Sequence, residues 1–338
     1  MKLKLALGLL VLLLGYLLFW PTRYAPGAWG PPPDVPLELN DRLKTAELFH
    51  GELPGPEAIA FDAQGRIVTG LRDGRLVRVE HDGGVETLAS RSGGRILGLK
   101  YGPDARLWLC DAYLGLGVLN GDGGIETLFA DAGFADDLDF GDDGSVYFTD
   151  ASLRNDVAHA VDDLIEHQTT GRLLRWKDGV TTLVSDGFSF ANGVAFGTSR
   201  DWLVMTETGT YKLWKVHVPS GRREVFADSL PGFPDNVTFS PERKVFWVAL
   251  GSPRNTLVER LAGAPFLREA IFRLPKAVQP APVKHSTVLA FDESGKQVEN
   301  LQWKDPATYS PIASVIERDG ALYMGSYLVG GYWRYALR

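Results

Sequence analysis

The chain has 338 residues, 45% hydrophobic and 23% charged, with a formal net charge of −7. That is an ordinary globular balance, with length enough for a large core. Lys and Arg form no block beyond the N-terminus, which argues against nucleic acid as a partner, since phosphate contacts need clustered cations.

At the N-terminus, Lys2 and Lys4 precede an apolar run from Leu5 to Trp20. With Leu3 and the flanks counted, the run reaches spanning length. It ends Phe19-Trp20-Pro21-Thr22-Arg23-Tyr24, with no small-x-small cleavage site. Residues 1–21 therefore read as an uncleaved, single-pass signal anchor in preference to a cleaved signal. The lysines ahead of the run favour a cytoplasmic N-terminus, a bias that Arg23 reduces. The body would then face the periplasm, lumen or cell exterior. Residues 22–38, rich in Pro and Gly, read as a linker, and 39–338 as one domain.

Beyond the linker a unit recurs at a spacing of roughly 40 residues where no insert intervenes. Each unit pairs a short apolar strand with a stronger one across a Gly or Asp turn. Ala58–Phe61 is followed by Arg66–Thr69, Leu99–Tyr101 by Leu107–Leu109, and Leu138–Phe140 by Val146–Phe148. Val194–Phe196 is followed by Trp202–Met205, Val237–Phe239 by Val245–Val248, and Ser314–Ile316 by Leu322–Met324. A second hairpin closes most units, as in Gly74–Val79, Gly171–Trp176 and Lys212–Val216; in the fifth it arrives late, at Thr287–Phe291. Six units of four strands predict an all-β, six-bladed β-propeller behind an N-terminal anchor helix. The last unit lacks a fourth strand, and Thr45–Phe49 can supply it, closing the ring. Cys110, the lone cysteine, sits in Leu107-Trp108-Leu109-Cys110. It reads as a buried structural thiol, since apolar burial raises a thiol's pKa.

In four units an oxygen-bearing side chain lies four residues ahead of the aromatic that ends the first strand: Glu57, Asp136, Asn192 and Asp235. The same offset in the other two falls on Leu97 and Ala313. First strands line a propeller's channel, so the residue just before each should sit near the axis, and these four should converge. Three carboxylates brought together repel unless a cation sits among them. An all-oxygen set suits a hard cation, Ca²⁺ first, Mg²⁺ or another divalent ion second. Asp137 and Asn236, next door, are accessory candidates.

Gly55-Pro56-Glu57, Phe134-Ala135-Asp136-Asp137-Leu138, Phe190-Ala191-Asn192-Gly193-Val194 and Pro231-Gly232-Phe233-Pro234-Asp235-Asn236 resemble the strictosidine synthase-like proteins, and among them the adipocyte plasma membrane-associated protein branch. The wider superfamily includes gluconolactonase and paraoxonase enzymes. The resemblance runs from about Leu39 to Leu337 and takes in Asp111-Ala112-Tyr113, Tyr147-Phe148-Thr149-Asp150 and the N-terminal anchor. It implies a six-bladed propeller with Ca²⁺ in the channel and, in several members, ester or lactone hydrolysis. Asp136 stands where the family commonly has Asn, which keeps the oxygen and adds charge. Ala313 stands where strictosidine synthase has its catalytic glutamate, and Leu97 where paraoxonases have a histidine.

Strand direction returns the loop after each second strand to the metal face. Two are long. Ser152–Gly171 and Ser252–Lys284 carry helical spacing and read as lids, as membrane-surface contacts or as packing on the blades. Asp111, Tyr113, Asp150, Glu207, Ser326 and Tyr327 end second strands and are pocket-wall candidates. The six histidines miss the channel positions and read as surface or structural residues. The leading expectation is a Ca²⁺-dependent hydrolase of small esters or lactones (arylesterase- or lactonase-like), with Asp235 a ligand or the general base on water. The alternatives are a non-catalytic, membrane-anchored calcium-binding propeller and a strictosidine synthase-type condensing enzyme.

Overall fold

In the computed structural model, which describes residues 2–337, six four-stranded antiparallel sheets follow one another along the chain. In each of the first five the strands lie in chain order, and the sixth takes its outer strand from the opposite end of the chain. Glu47, Leu48 and Phe49 pair antiparallel with Arg334, Trp333 and Tyr332. The ring therefore closes with hydrogen bonds between N- and C-terminal segments, as the sequence predicts; Arg42–Thr45 forms a 3₁₀ turn just before this strand.

Turn chemistry explains the tight inner hairpins. Asp62 Oδ1 accepts the backbone N–H groups of Gln64 and Arg66 at 3.0 and 2.9 Å, and Gly65 takes the left-handed conformation at φ +79°. This is the Asx turn that Asp and Gly favour. The core lies between blades rather than inside one. Trp247 and Val288 of the fifth blade pack with Leu322, Met324 and Trp333 of the sixth and with Tyr309. Cys110 is fully buried among Trp108, Leu138 and Phe148, and burial pushes its thiol up.

Helix α1 (Lys2–Phe19) has 18 residues and is apolar enough to cross a membrane. At 1.5 Å per residue it is roughly 27 Å long, close to a hydrocarbon core. It is a candidate membrane anchor, although a signal sequence satisfies the same length and composition.

Both long loops are helical and both rise over one face of the ring. The first carries a 3₁₀ turn, Val157–His159, and α2 (Ala160–Glu166). The second carries α3 (Thr256–Arg260) and α4 (Pro265–Glu269), followed by 3₁₀ turns at Ala270–Arg273 and Lys276–Val278. Ile165, Val258 and Ile271 form a small core joining the two.

The segment expected as a linker is bonded to these loops. Ala25 N–H donates to Glu166 Oε1 at 2.6 Å, Tyr24 OH to Asp162 Oδ2 at 2.5 Å and Gly27 N–H to the Glu166 carbonyl at 2.9 Å. Trp29 stacks on the buried His167 ring at 4.1 Å. Its Pro-rich composition gives extended backbone, and the extended backbone is used as a strap.

Arg268 is the hub of this layer. It is fully buried and donates to the carbonyls of Ala262, Gly27 and Glu166, so it ties both loops and the strap together. Burial alone lowers its guanidinium to about 10, still charged at neutral pH. Arg268→Met leaves the Gly27 carbonyl without a donor, at about 1–3 kcal/mol before relaxation, and takes one of two donors from the Ala262 and Glu166 carbonyls, which keep Trp29 and Gly27 N–H. We expect rapid proteolytic cleavage within residues 254–285 of that variant while the blades stay intact, read by limited proteolysis with mass spectrometry.

Candidate functional site

The inner strands hold the site by a device that the sequence does not announce. In blade 3 (inner strand Ala135–Phe140), Ala135 pairs with Asp150 and Leu138 with Phe148, so three steps on one strand face two on the other. Blades 2, 4 and 5 show the same shift, between Ile96 and Leu99, Ala191 and Val194, and Pro234 and Val237. These are β-bulges. They enclose Leu97-Gly98, Asp136-Asp137, Asn192-Gly193 and Asp235-Asn236. The phased residues of these blades thus lie within the inner strand, not ahead of it, and the bulge turns them out of the strand's alternation. Glu57 does precede its strand, Ile59–Phe61.

Bulges in neighbouring blades pack backbone to backbone. A Cβ on Gly193 would stand 2.3 Å from Val237 N, and one on Gly98 2.5 Å from the Asp136 carbonyl. Blades therefore approach at the axis to a distance only glycine permits. The second residue of each acidic bulge is spent on the next blade. Asp137 Oδ2 accepts Val194 N–H at 3.0 Å, and Asn236 N–H donates to the Ala313 carbonyl at 2.9 Å. Neither Asp137 nor Asn236 lines the cavity. As accessory candidates they give way to a blade-linking role, although both amide atoms of the Asn236 side chain are buried without partners among the described residues.

Glu57, Asp136, Asn192 and Asp235 are all buried and line the floor of one cavity of about 550 Å³. Leu97 joins them there, and Ala313 does not. Burial pushes Glu57 up to about 7, against the pull of Arg95. Asp136 is held well above the usual carboxylate range, by burial first and then by the charges of Glu57 and Asp235. Asp235 is raised in the same way, by burial and then by Glu57, with Asn192 offsetting part of it. Asp136 Oδ1 and Asn192 Oδ1 are buried with no hydrogen-bond partner among the described residues.

Arg95 was not among the sequence candidates. It is 7% exposed, lies two residues ahead of the Leu97 bulge and lines the cavity. Its Nη2 donates to the Tyr327 carbonyl at 2.9 Å and stands 3.4 Å from Glu57 Oε2, while Nη1 has no partner among the described residues. One cation is thus already set against one carboxylate of the ring. Its signal in the sequence is slight, an arginine in a channel-lining position of the one apolar-bulge blade.

Among the described residues, no group of three His, Cys, Asp or Glu side chains is close enough as placed to hold a metal. The chemistry of the set nevertheless fits a hard divalent cation. Every donor is oxygen, two of those oxygens are buried and orphaned, and the carboxylates resist ionising together. Glu57, Asp136, Asn192 and Asp235 are the residues that would hold it.

The pocket-wall candidates divide. Tyr113 and Tyr327 line the cavity, whereas Asp111, Asp150, Glu207 and Ser326 do not. Asp111 Oδ1 accepts the N–H groups of Arg95 and Tyr113 at 3.2 and 3.0 Å, and Asp150 those of Phe134 and Gly133 at 2.7 and 3.2 Å. Glu207 accepts from Ser189 N–H at 2.7 Å and from Trp214 Nε1. Each carboxylate clamps the backbone entering an inner strand, two or three residues before its bulge, so it positions the ring without facing the cavity. Ser326 Oγ accepts from Leu328 and Val329 N–H. Of the histidines, His159 does reach the cavity wall, from the first lid, with Nδ1 2.6 Å from Asp156 Oδ1. Much of the remaining wall is apolar, with Phe134, Phe190 and Phe233 from the blades and Val157, Ile165 and Val258 from the lids, interrupted by Arg72, His159, Asp162 and Lys276.

Sequence comparison matches residues 136–220 to the strictosidine synthase family profile and 36–79 to the profile "strictosidine synthase-like, N-terminal". Strictosidine synthase-like protein 13 of Arabidopsis thaliana is 34% identical over 83% of this chain and 79% of its own. The chain belongs to the strictosidine synthase-like family. The adipocyte plasma membrane-associated protein of Salmo salar, 31% identical over 86% of this chain and 77% of its own, is a further relative. The fold is also that of a Xanthomonas campestris gluconolactonase (TM-score 0.61, 18% identity, 95% of this chain and 99% of that one). Regucalcin of Agrobacterium tumefaciens, described as a calcium-binding protein, shares it too (TM-score 0.57, 14% identity, 86% and 91%).

The raised carboxyls of this family member give a pH signature. Glu57, ordinarily 4.5 and about 7 when folded, binds more protons in the native than in the unfolded state between those values. Stability therefore falls as pH rises through that window, and the raised Asp136 and Asp235 act in the same direction. With chelator present, Tm should decline from pH 5 to pH 8. Millimolar Ca²⁺ should flatten that decline. Scanning calorimetry of the two series checks it, and a chelated protein that gains stability across the window contradicts the assignment.

Proposed function

We propose that the protein is a divalent-cation-dependent hydrolase, Ca²⁺ being the preferred ion, acting on small esters or lactones. The observation that carries the reading is the ring of buried Glu57, Asp136, Asn192 and Asp235, with orphaned acceptor oxygens, at the floor of an apolar cavity. A cation held by that ring would supply Lewis-acid polarisation of the scissile carbonyl. Apolar lid and blade side chains bind the substrate and exclude water. Arg95, with a free Nη1, offers a second positive group to an oxygen of the bound ester. Asp235, which lines the cavity with the other ring residues, is the proposed acceptor of the proton from the attacking water.

Relatives support the chemical class in their own terms: one structural neighbour is described as a gluconolactonase and another as calcium-binding. A condensing role fits less well, because Ala313 is buried, carries no acid and lies outside the cavity lining. The second reading is a non-catalytic binding propeller: the Arg95–Glu57 contact offsets part of the ring's charge, as a structural role alone requires.

Metal analysis should find about one Ca²⁺ per chain, and Asp136→Asn should weaken its binding. Mild chelation, in a sample still folded by circular dichroism, should cut hydrolysis of aryl esters or lactones about 10²–10³-fold. Asp235→Asn should do the same with metal present. Full activity after chelation would overturn the mechanism; bound Ca²⁺ with no turnover on any ester or lactone would establish the binding propeller.

A further inference from the structure

We infer that the cavity mouth lies against the bilayer, so that the insert carrying α3 and α4 is a membrane-contacting surface and the cavity takes amphiphilic substrates out of the lipid. The inference rests on the anchor reading of α1; the substrate clause also rests on the hydrolase reading.

Among the described residues, the last turn of α1 carries the helix's contacts with the insert, and residues 2–16 are exposed. Those contacts fall on one insert. Arg273 Nη1 donates to the Leu17 carbonyl at 2.9 Å and Nε to the Trp20 carbonyl at 2.5 Å, while Tyr16 OH donates to the Arg273 carbonyl at 3.1 Å. A buried cation thus caps the carbonyl end of the helix, where its dipole is negative. Phe19 meets Phe266 of α4, ring centroids 6.1 Å apart. A helix that spans the membrane and is held by its final turn fixes whatever holds it at the interface. Tyr16 and Trp20, which pack together there, are the residues that settle at that depth.

The insert presents the matching surface. Phe266 and Leu267 on α4 are 49% and 48% exposed, and Leu257 on α3 is 51% exposed. Apolar side chains clustered beside an anchor bury themselves in the acyl boundary. The same insert contributes Val258 and Val283 to the cavity wall, and Lys276, which lines the cavity, is bound to Asp162 of the first lid at 2.7 Å. Anchor, apolar surface and cavity wall are therefore one connected piece. The cavity joins apolar lid and blade side chains to the carboxylate ring, a lining that suits an acyl chain or ring system bearing a polar ester head.

The test uses the full chain reconstituted in phosphatidylcholine vesicles. Leu267→Cys and Leu257→Cys, in a Cys110→Ala background, are labelled with an environment-sensitive nitrobenzoxadiazole dye. Val180→Cys is the control, at the hairpin tip between the third and fourth strands of blade 3, on the opposite face. The expected result is a blue shift at positions 267 and 257, with quenching by lipid-borne nitroxide, and neither at 180. No shift at 267 and 257, or an equal shift at all three, would overturn the inference. The readout needs no activity, so it holds or fails apart from the hydrolase reading. Where hydrolysis is measurable, Phe266→Asp/Leu267→Asp should lower turnover of a vesicle-embedded ester at least tenfold and leave that of a water-soluble ester unchanged; equal loss on both would overturn the substrate clause.

Discussion

Everything at the axis of this propeller follows from three carboxylates buried within reach of one another's charge. Glu57, Asp136 and Asp235 cannot all ionise in so buried a ring without a counter-charge. The protein meets this in part with Arg95 beside Glu57, and the unpartnered oxygens of Asp136 and Asn192 leave the rest of the demand unmet. Such a ring costs stability, and blades held by glycine contacts and by hydrogen bonds such as Asp137 to Val194 N–H keep it from relaxing.

The blades were readable because propeller strands repeat their pattern, and the four oxygens because they share one phase. What the phase could not show was the bulge. A side chain displaced by an extra residue looks, in sequence, like one that precedes the strand, and the pairing that distinguishes them is made with a different segment. The same blindness placed Asp111, Asp150 and Glu207 on the pocket wall: strand ends do face the cavity side, but a carboxylate beside free backbone N–H groups bonds to them first. Arg95 and His159 escaped for the opposite reason. Neither is in phase with anything, and only the fold brings a strand entry and a lid to the same cavity.

Residues 22–38 show where composition misleads. Proline and glycine there exclude helix and regular strand, which in many chains means a spacer. Here the extended backbone offers its carbonyls to Arg254 and Arg268, and its aromatic rings to Phe272 and His167. Order comes from the partners, and those partners lie in two inserts far along the chain.

The closing strand sets the timing of folding. Leu48 cannot pair until Trp333 exists, so the ring joins the first and last parts of the chain, a contact of near-maximal sequence separation whose loop-closure entropy comes due late. Until then the sixth blade has a bare edge, open to any passing strand. Tethering α1 in a membrane would hold one of the two partners in place while the other is still being made. The search for closure would then be confined to a surface, and the exposed edge kept near the segment meant to cover it.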